Sequence, residues 1–474
     1  MRRLSAVSLL ALVVSLPSAA QSSAHEQLAC SIYKELIEIN TVDSVGSVTK
    51  AAQAMAARFK AAGFPDNDVQ LLIPPGKPNK GNLIVRYHGR GGANAPKPIL
   101  LMAHLDVVAA LRSDWPRDPF TLFEENGFFI GRGTADDKAM ASIFVANLLR
   151  MKAERFVSDR DVILMLNADE EGGDANGAYW IATQHRDLID AEYAINEGGQ
   201  GALVNGKPVA NAVQAAEKVV VNFTLTVTNV GGHSSVPRPD NAINQLAVAL
   251  TKLANFQFPV VLNDVTRAFF AASAKAEPRA DRAAAMAAIV ANPNDTKAVA
   301  VVSKDPFLAS MLHTSCVATR LFAGHAYNAL PQLATANLNC RMEPTTTYEY
   351  VKSTLERVID DAEVKVTFLG GATRSGLVGA PPSVMPSDLA AAVASITKKM
   401  FGDIPVVPEM TTGATDGRFL RAVGIPTFGV SGIFVEGAEN NMHGRNEKLR
   451  VKSFYDGLSF LDQLVRTLAV KTKM

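Results

Sequence analysis

The chain has 474 residues, of which 48% are hydrophobic, and its 47 basic and 46 acidic side chains leave a net charge of +1. A chain of this length is long for one domain and typical of two, and it can bury a large core. The balanced charge, without basic runs, gives no support to nucleic-acid binding or to attachment to anionic membranes.

The first twenty residues have the pattern of an export signal. Arg2 and Arg3 precede an apolar run from Leu4 to Leu16, and small residues follow, so we place cleavage after Ala20. The run is short for a membrane span of about 20 residues, although an uncleaved anchor stays the alternative. We therefore expect a mature protein that is soluble, without a membrane segment, and either periplasmic or secreted.

Between residues 26 and 215 predicted helices alternate with predicted strands. We expect helices at 26–39, 48–62 and 139–152, and short apolar strands at 82–87, 98–103, 161–166 and 192–195. Such alternation is typical of an α/β domain with a parallel or mixed sheet. In these sheets ligands bind beyond the carboxyl ends of the strands.

The pattern changes near residue 216. We predict strands at 219–227, 314–322, 333–341 and 364–369, helices at 241–253 and 347–360, and an Ala-rich helical segment at 264–310. The α/β pattern resumes after this region and continues to a last helix at 452–469. The prediction is therefore an α/β domain in two parts, 21–215 and 373–474, interrupted by a smaller α+β domain at 216–372.

Three consecutive carboxylates, Asp169, Glu170 and Glu171, follow the apolar strand predicted at 161–166. Like charges in a partly desolvated place repel each other, so the stretch indicates a cation. Four other segments carry candidate ligands, namely HLD at 104–106, GRGTADDK at 131–138, NEGG at 196–199 and NNMHGR at 440–445.

Each segment alone has an ordinary explanation, such as a surface turn or the start of a helix. Together they provide two imidazoles and at least three carboxylates, which suit zinc. The number of ligands is also right for two ions that share a bridging carboxylate.

In this order the five segments resemble the co-catalytic zinc peptidases, a family that includes glutamate carboxypeptidase, aminoacylase, carnosinase-type dipeptidases and succinyl-diaminopimelate desuccinylase. The resemblance extends over residues 26–470. It implies an α/β catalytic domain with a central mixed sheet flanked by helices, interrupted by a smaller α+β lid and dimerisation domain. It also implies two bound Zn²⁺ ions, with Co²⁺ or Mn²⁺ as alternatives, and, by family analogy only, a homodimer formed through the lid.

The resemblance assigns the metal ligands residue by residue. Asp136 would bridge the two ions, His104 and Glu197 would complete one site, and Glu171 and His443 would complete the other.

The remaining site residues are assigned in the same way. Glu170 would be the general base, and Asp106 would orient His104. A cis peptide bond is implied after Asp136. Ala139 stands where the family usually has glycine, a mild change at a helix start.

The lid motifs imply substrate contacts. His233 would stabilise the oxyanion, often from the partner subunit, Asn328 would touch the substrate, and Arg341 would bind a substrate carboxylate. A further loop, which contains Gly413 and Thr415, would face the substrate.

We predict the first of three functions and keep the other two as alternatives. The first is an exported metallo-exopeptidase that hydrolyses the C-terminal peptide bond of dipeptides or short peptides. Glutamate at position 197 goes, in this family, with carboxypeptidases and deacylases. The second is an N-acyl amino acid deacylase that uses the same site, and the third is a catalytically silent peptide- or metal-binding protein. The side-chain preference, the physiological metal and the oligomeric state also stay open.

The chain contains three cysteines, Cys30, Cys316 and Cys340. An odd number excludes a fully paired intrachain set. Export would permit a Cys316–Cys340 disulfide, and whether it forms also stays open.

Overall fold

A computed structural model describes residues 23–92, 95–370 and 380–470. The proposed signal segment and the predicted boundary at residues 372 and 373 lie outside these ranges. The α-helices are Ala24–Glu38, Val48–Ala61, Lys138–Ala153, Gly177–Gln184, Ala242–Ala254, Asp264–Ala276, Ala280–Ala291, Thr296–Val302, Pro306–Leu312, Tyr348–Ile359, Ser387–Phe401, Gly417–Ala422 and Val451–Ala469. Within the described ranges, none of these helices combines the length and apolarity that a bilayer span requires.

A ten-stranded mixed sheet forms the centre of the molecule. Its strands follow the order Val69–Leu72, Asn82–Tyr87, Val162–Asn167, Ile99–His104, Tyr193–Asn196, Thr427–Gly429, Lys207–Glu217, Gly201–Val204 and Phe434–Val435, with Val406–Thr411 paired beside Lys207–Glu217. The strand Ile99–His104 runs parallel to both of its neighbours. The carboxyl ends of three central strands therefore meet at one edge of the sheet, which confirms the predicted α/β architecture.

Buried strands and helices on both faces explain why this sheet forms. Every residue of Val162–Asn167 and Ile99–His104 is buried, as expected for parallel strands covered on both sides. The helix Lys138–Ala153 is buried on almost every side, because it packs between the sheet and the helices Ala24–Glu38 and Val451–Ala469. The predicted strands of this region agree with the observed ones to within one residue at each end.

A second, smaller sheet has four antiparallel strands. Their order is Ser315–Ala323, Leu333–Met342, Val219–Thr228 and Lys365–Gly370. Val219–Thr228 alternates buried and half-buried residues, so one face of this sheet is covered. The helices Ala242–Ala254 and Tyr348–Ile359 cover that face, and a separate hydrophobic cluster fills the space between them. The exact domain limits stay a prediction.

The two cysteines of this smaller sheet form a disulfide. Cys316 and Cys340 are direct register partners on neighbouring antiparallel strands, with Cα atoms 4.0 Å apart. Cys30 is free and half-buried. The disulfide that the sequence left open is therefore present.

The Ala-rich segment at 264–310 is four short helices rather than one long one. Asn263, Asp295 and Asp305 accept backbone N–H groups at the starts of three of them, which divides the segment. The first, Asp264–Ala276, packs against the edge strand Val406–Thr411 of the large sheet.

The sequence analysis missed the hairpin Gly201–Val204/Lys207–Glu217. Its two-residue turn is Asn205–Gly206, and both residues have positive φ angles, 51° and 73°. Asn-Gly is a strong local signal for such a turn, so the sequence contained enough information to place this hairpin.

Candidate active site

The candidate ligands lie together where the central strands of the large sheet end. His104 is the last residue of its strand, Glu171 follows Val162–Asn167, and Glu197 follows Tyr193–Asn196. Asp136 lies just before the helix Lys138–Ala153. Adjacent parallel strands bring these side chains close together although they are far apart in the sequence.

The Asp136 carboxylate lies between two imidazoles. His104 Nε2 is 2.9 Å from Asp136 Oδ1, and His443 Nε2 is 3.1 Å from Asp136 Oδ2. His443 Nε2 is also 2.9 Å from Glu171 Oε1, and His104 Nε2 is 3.7 Å from Glu197 Oε2. One oxygen thus faces each half of the site, which is the arrangement of a carboxylate shared between two ions. The peptide bond after Asp136 is cis, as the resemblance implied.

The donor set fits divalent cations. Two groups of three residues, His104 with Asp136 and Glu171, and His104 with Asp137 and Glu197, each place their ligand atoms within 4.8 Å of one another. Buried Asp137 Oδ2 has no hydrogen-bond partner within the described ranges. Buried carboxylates this close require a positive charge for compensation.

Burial also shifts the protonation of these acids. Loss of solvent raises the pKa of Glu197 to about 7 and raises the pKa of Glu170 well above its usual range. The negative charge of Glu197 raises the Glu170 pKa further. These directions describe the residues without a cation, and a bound cation favours the ionised form of each ligand.

Asp106 supports the site through two different contacts. Its carbonyl oxygen is 3.0 Å from His104 Nδ1, whereas its carboxylate is 3.6 Å from the same atom. The carboxylate accepts the backbone N–H groups of Glu170, at 3.1 Å, and Glu171, at 3.0 Å. Asp106 therefore holds the loop 169–175, called the acidic loop below, in addition to contacting the imidazole.

Glu447 is a site residue that the sequence analysis missed. Its Oε1 accepts the N–H groups of Ala135, at 2.8 Å, and Asp136, at 3.2 Å. Its Oε2 pairs with Arg132, and both side chains are buried. Loss of solvent raises the pKa of Glu447 to about 7, against the opposing charge of Arg132. Nothing in the sequence near Glu447 shows that its partners lie more than 300 residues away.

Asp416 was also missed, although its loop was recognised. Its Oδ1 accepts Asn176 Nδ2 at 2.7 Å, and its Oδ2 accepts Asn167 Nδ2. Burial raises the pKa of Asp416 to about 6. The neighbouring Thr415 donates its N–H to Glu217 Oε2 at 2.6 Å, so this loop is tied to both the acidic loop and the end of a sheet strand.

A cavity of about 850 Å³ opens above the carboxylates. Glu170, Glu171 and His443 form part of its wall, and Gly413 and Thr415 line it as well. This volume is within the ordinary range for a small-molecule site, about 300–1,000 Å³.

The three lid residues chosen from the sequence lie elsewhere. His233, Asn328 and Arg341 do not line the cavity. His233 is exposed on the short ribbon that pairs Gly232–His233 with Ala329–Leu330, and Arg341 Nε contacts only Asn339 Oδ1, at 3.3 Å, among the described residues. Their roles stay predictions.

Comparisons with known proteins agree with this geometry. Residues 100–467 match the family described as Peptidase family M20/M25/M40. Probable carboxypeptidase S-like 2 of Dictyostelium discoideum is 28% identical over 91% of this chain and 88% of its own length. The human N-fatty-acyl-amino acid synthase/hydrolase PM20D1 is 24% identical over 80% and 75%, and mouse aminoacylase-1 is 26% identical over 94% and 96%.

Solved structures share the fold at low sequence identity. The M20 family metallo-carboxypeptidase Sso-CP2 of Sulfolobus solfataricus has a TM-score of 0.70 and 18% identity, with 92% of this chain and 98% of that chain covered. The dinuclear metal binding peptidase YXEP of Bacillus subtilis has a TM-score of 0.57 and 13% identity, with 94% and 99% covered. Since the family match extends over well more than half of the chain, the protein belongs to the M20/M25/M40 peptidase family and is a hydrolase of that family.

Proposed function

We propose that this enzyme is a metal-dependent exopeptidase that releases the C-terminal residue of dipeptides or short peptides. The observation that carries the proposal is the Asp136 carboxylate between His104 and His443, with Glu170 lining the same cavity. A cavity of this size accommodates a short peptide but not a folded protein.

The proposed site would hold two divalent cations. His104 and Glu197 would bind one, Glu171 and His443 would bind the other, and Asp136 would contribute to both. We propose Zn²⁺, with Co²⁺ or Mn²⁺ as alternatives. Such ions supply Lewis-acid charge, which polarises a carbonyl oxygen and makes a nucleophilic water available at neutral pH.

Glu170 is the proposed general base. Glu170 lines the cavity, and its backbone N–H donates to the Asp106 carboxylate. The ionised Glu170 carboxylate would take a proton from water as the water oxygen attacks the carbonyl carbon of the scissile bond. It then donates that proton to the leaving amine. Asp106 keeps Glu170 and Glu171 in fixed positions during both transfers.

The lid supplies the proposed substrate contacts. His233 would stabilise the oxyanion, and Arg341 would bind the free carboxylate of the substrate, for which a guanidinium is well suited. Asn328, Gly413 and Thr415 would contact the rest of the substrate. Because His233 is exposed and outside the cavity of its own chain, we propose that it acts across a homodimer formed through the lid.

A second candidate function is hydrolysis of N-acyl amino acids. Two relatives, the N-fatty-acyl-amino acid synthase/hydrolase and aminoacylase-1, favour it by their names. The same base and the same carboxylate contact would serve this reaction. Membership of a hydrolase family makes the catalytically silent alternative the weaker one.

We also propose that residues 1–20 are a cleaved export signal and that the enzyme is periplasmic or secreted. The Cys316–Cys340 disulfide supports this, because such bonds persist in oxidising compartments. Sequencing the N-terminus of protein recovered from the periplasm or the medium tests it. A mature chain that begins at Met1 would contradict the proposal.

The activity is tested by assaying purified protein on dipeptides and on N-acyl amino acids, with metal content measured in the same samples. We expect about two divalent ions per chain and faster turnover of dipeptides. Chelation should abolish activity, and Zn²⁺ or Co²⁺ should restore it. Faster turnover of N-acyl amino acids would favour the second candidate, and hydrolysis that survives chelation would refute both.

A further inference from the structure

We propose that Lys80 and Asp169 form a positioning pair that holds the backbone of Glu170 and Glu171 in its catalytic geometry. The inference deepens the proposed function, because it concerns the loop that carries the proposed base and one proposed ligand. Neither residue touches the cavity or the candidate metal ligands through its side chain. Their role would be exerted through the main chain.

The pair is buried at the first residue of the acidic loop. The side chain of Asp169 is fully buried, and that of Lys80 is 9% exposed. Lys80 Nζ donates to Asp169 Oδ1 and also to Asp43 Oδ1 at the surface. Asp169 Oδ2 accepts the N–H of Ala175 at 3.1 Å. The carboxylate therefore connects the start of the loop, its end and a distant lysine.

The backbone of Asp169 is in an unusual conformation. Its φ angle is +61°, in the left-handed region that residues other than glycine rarely adopt. Gly173 closes over its carboxylate so tightly that a Cβ at that position would lie 2.2 Å from Asp169 Oδ2. A residue in this region needs surrounding contacts that fix it, and the ion pair with Lys80 is one of these contacts.

A second contact makes the attachment rigid. Asn82 Oδ1 accepts the N–H of Ala168 at 2.9 Å, and Asn82 Nδ2 donates to the carbonyl of Lys80 at 3.0 Å. The segment 80–82 thus holds residues 168 and 169 at two points. On the other side, the Asp106 carboxylate accepts the N–H groups of Glu170 and Glu171. Each of the residues 168–171 is therefore held by a contact from either the segment 80–82 or Asp106.

Removal of Lys80 would leave the buried Asp169 carboxylate without its cation. Such a charge is strongly destabilised, and the carboxylate would turn toward solvent. Since Asp169 precedes Glu170 directly, this turn rotates the backbone that positions the base. Displacement of a reacting group by about 1 Å can reduce a rate by about 100-fold.

The same two segments contain a matched control pair. Lys77 Nζ pairs with Asp174, and this contact joins the same two loops at the surface. The side chains are 37% and 72% exposed. Exposed pairs contribute little to stability, so removal of Lys77 should leave the acidic loop in place.

The test compares Lys80→Met, Lys80→Arg and Lys77→Met in the metal-loaded enzyme. We expect Lys80→Met to lower kcat by about 10- to 100-fold at saturating metal, with KM unchanged. Lys80→Arg should recover most of the lost rate, and Lys77→Met should match the unmodified enzyme. Hydrogen exchange should show faster exchange of the amides of residues 168–176 in Lys80→Met alone.

A Lys80→Met protein that does not fold is replaced by the double variant Lys80→Met/Asp169→Asn, which removes both charges. We expect a smaller fall in kcat, because no uncompensated charge remains, and still faster exchange than in Lys77→Met, because the contact between the two segments is lost. Unchanged kcat and unchanged exchange in either folded variant would overturn the inference, as would a loss of rate that only follows loss of metal.

The exchange comparison needs no substrate. If the metal-loaded enzyme hydrolyses neither dipeptides nor N-acyl amino acids, the proposed function fails. The effect of Lys80 on the loop is then still decided by the exchange rates, so the two failures are distinguishable.

Discussion

The end of the large sheet and the two-stranded ribbon Gly232–His233/Ala329–Leu330 hold their candidate side chains in very different ways. At the sheet end His104 and Asp136 are buried, and neighbouring acids fix the backbone around them. On the ribbon His233 is exposed, and its ring contacts only Ser235, at 2.7 Å for the hydroxyl, among the described residues. The candidate metal ligands are therefore brought together within one chain, whereas the proposed substrate contact on the ribbon lies apart from them.

Physical chemistry explains the contrast. Buried carboxylates must be compensated locally, so a metal site requires fixed donors and supporting hydrogen bonds before any substrate arrives. A lid residue that meets the substrate only in the closed or assembled state gains nothing from being fixed beforehand. The predictions below test this division, beginning with the residue whose loss should matter most.

Replacement of Glu170 by glutamine should cause the largest loss of activity among these tests. The variant keeps the shape of the side chain but cannot accept the proton of water, so we expect kcat to fall by about 10²- to 10⁴-fold. Metal content should not change, because Glu170 is not a proposed ligand. Steady-state kinetics together with elemental analysis measure both effects.

Asp174→Asn is the control for this variant, since Asp174 lies in the same loop but is 72% exposed at its side chain. It should keep full activity. A Glu170→Gln enzyme with near-normal kcat would show that the sheet end lacks the proposed base.

Replacement of His233 by alanine should lower kcat by about 10²- to 10³-fold, as expected for loss of an oxyanion contact. The sharper measurement mixes the inactive His233→Ala and Glu170→Gln proteins. If His233 acts across a dimer, mixed dimers contain one site with both residues intact, and activity returns.

Subunit exchange should be confirmed by size-exclusion chromatography of differently tagged chains. Activity that does not return in verified mixed dimers would place His233 in its own subunit. A His233→Ala enzyme with normal kcat would remove the ribbon from the mechanism altogether.

Much of the sheet end could be predicted from the sequence, and most of its supporting residues could not. The ligands follow apolar strands directly, so local hydrophobicity places both the strand and the acid behind it, as for Glu171 and Glu197. Glu447 and Asp416 are different, because their partners are backbone N–H groups or amides more than 200 residues away. No local pattern marks an acid of this kind. The positions of His233 and Arg341 relative to the cavity could not be predicted for a related reason, since they depend on contacts between segments that are distant in the sequence.

Replacement of Glu447 by glutamine should weaken metal binding with a smaller effect than loss of a ligand. Its carboxylate accepts two N–H groups beside the shared aspartate and pairs with Arg132. A neutral amide would leave Arg132 buried without its counterion. We expect about 10- to 100-fold lower metal affinity, measured by competition with a chromogenic chelator.

At saturating metal the same Glu447→Gln enzyme should regain most of its kcat. This outcome would show that Glu447 supports the proposed metal ligands and takes no part in the chemical step. An unchanged affinity would mean that the backbone around Asp136 needs no such support.

Removal of the disulfide should have the smallest effect on activity and should act on the smaller sheet alone. Cys316 and Cys340 are separated by 24 residues, and closing a loop of this size stabilises a fold by about 3 kcal/mol. A Cys316→Ser/Cys340→Ser protein should therefore unfold at a lower temperature, with metal content unchanged, whereas Cys30→Ser should not. Calorimetry measures the shift, and reductant should reproduce it in the unmodified protein.

If the lid must be well ordered to supply its substrate contacts, KM should rise in the double serine variant near its lower unfolding temperature while the metal site stays intact. If the double serine variant also lost its metal over the same temperature range, the two regions would unfold together. They would then differ in structure but not in stability.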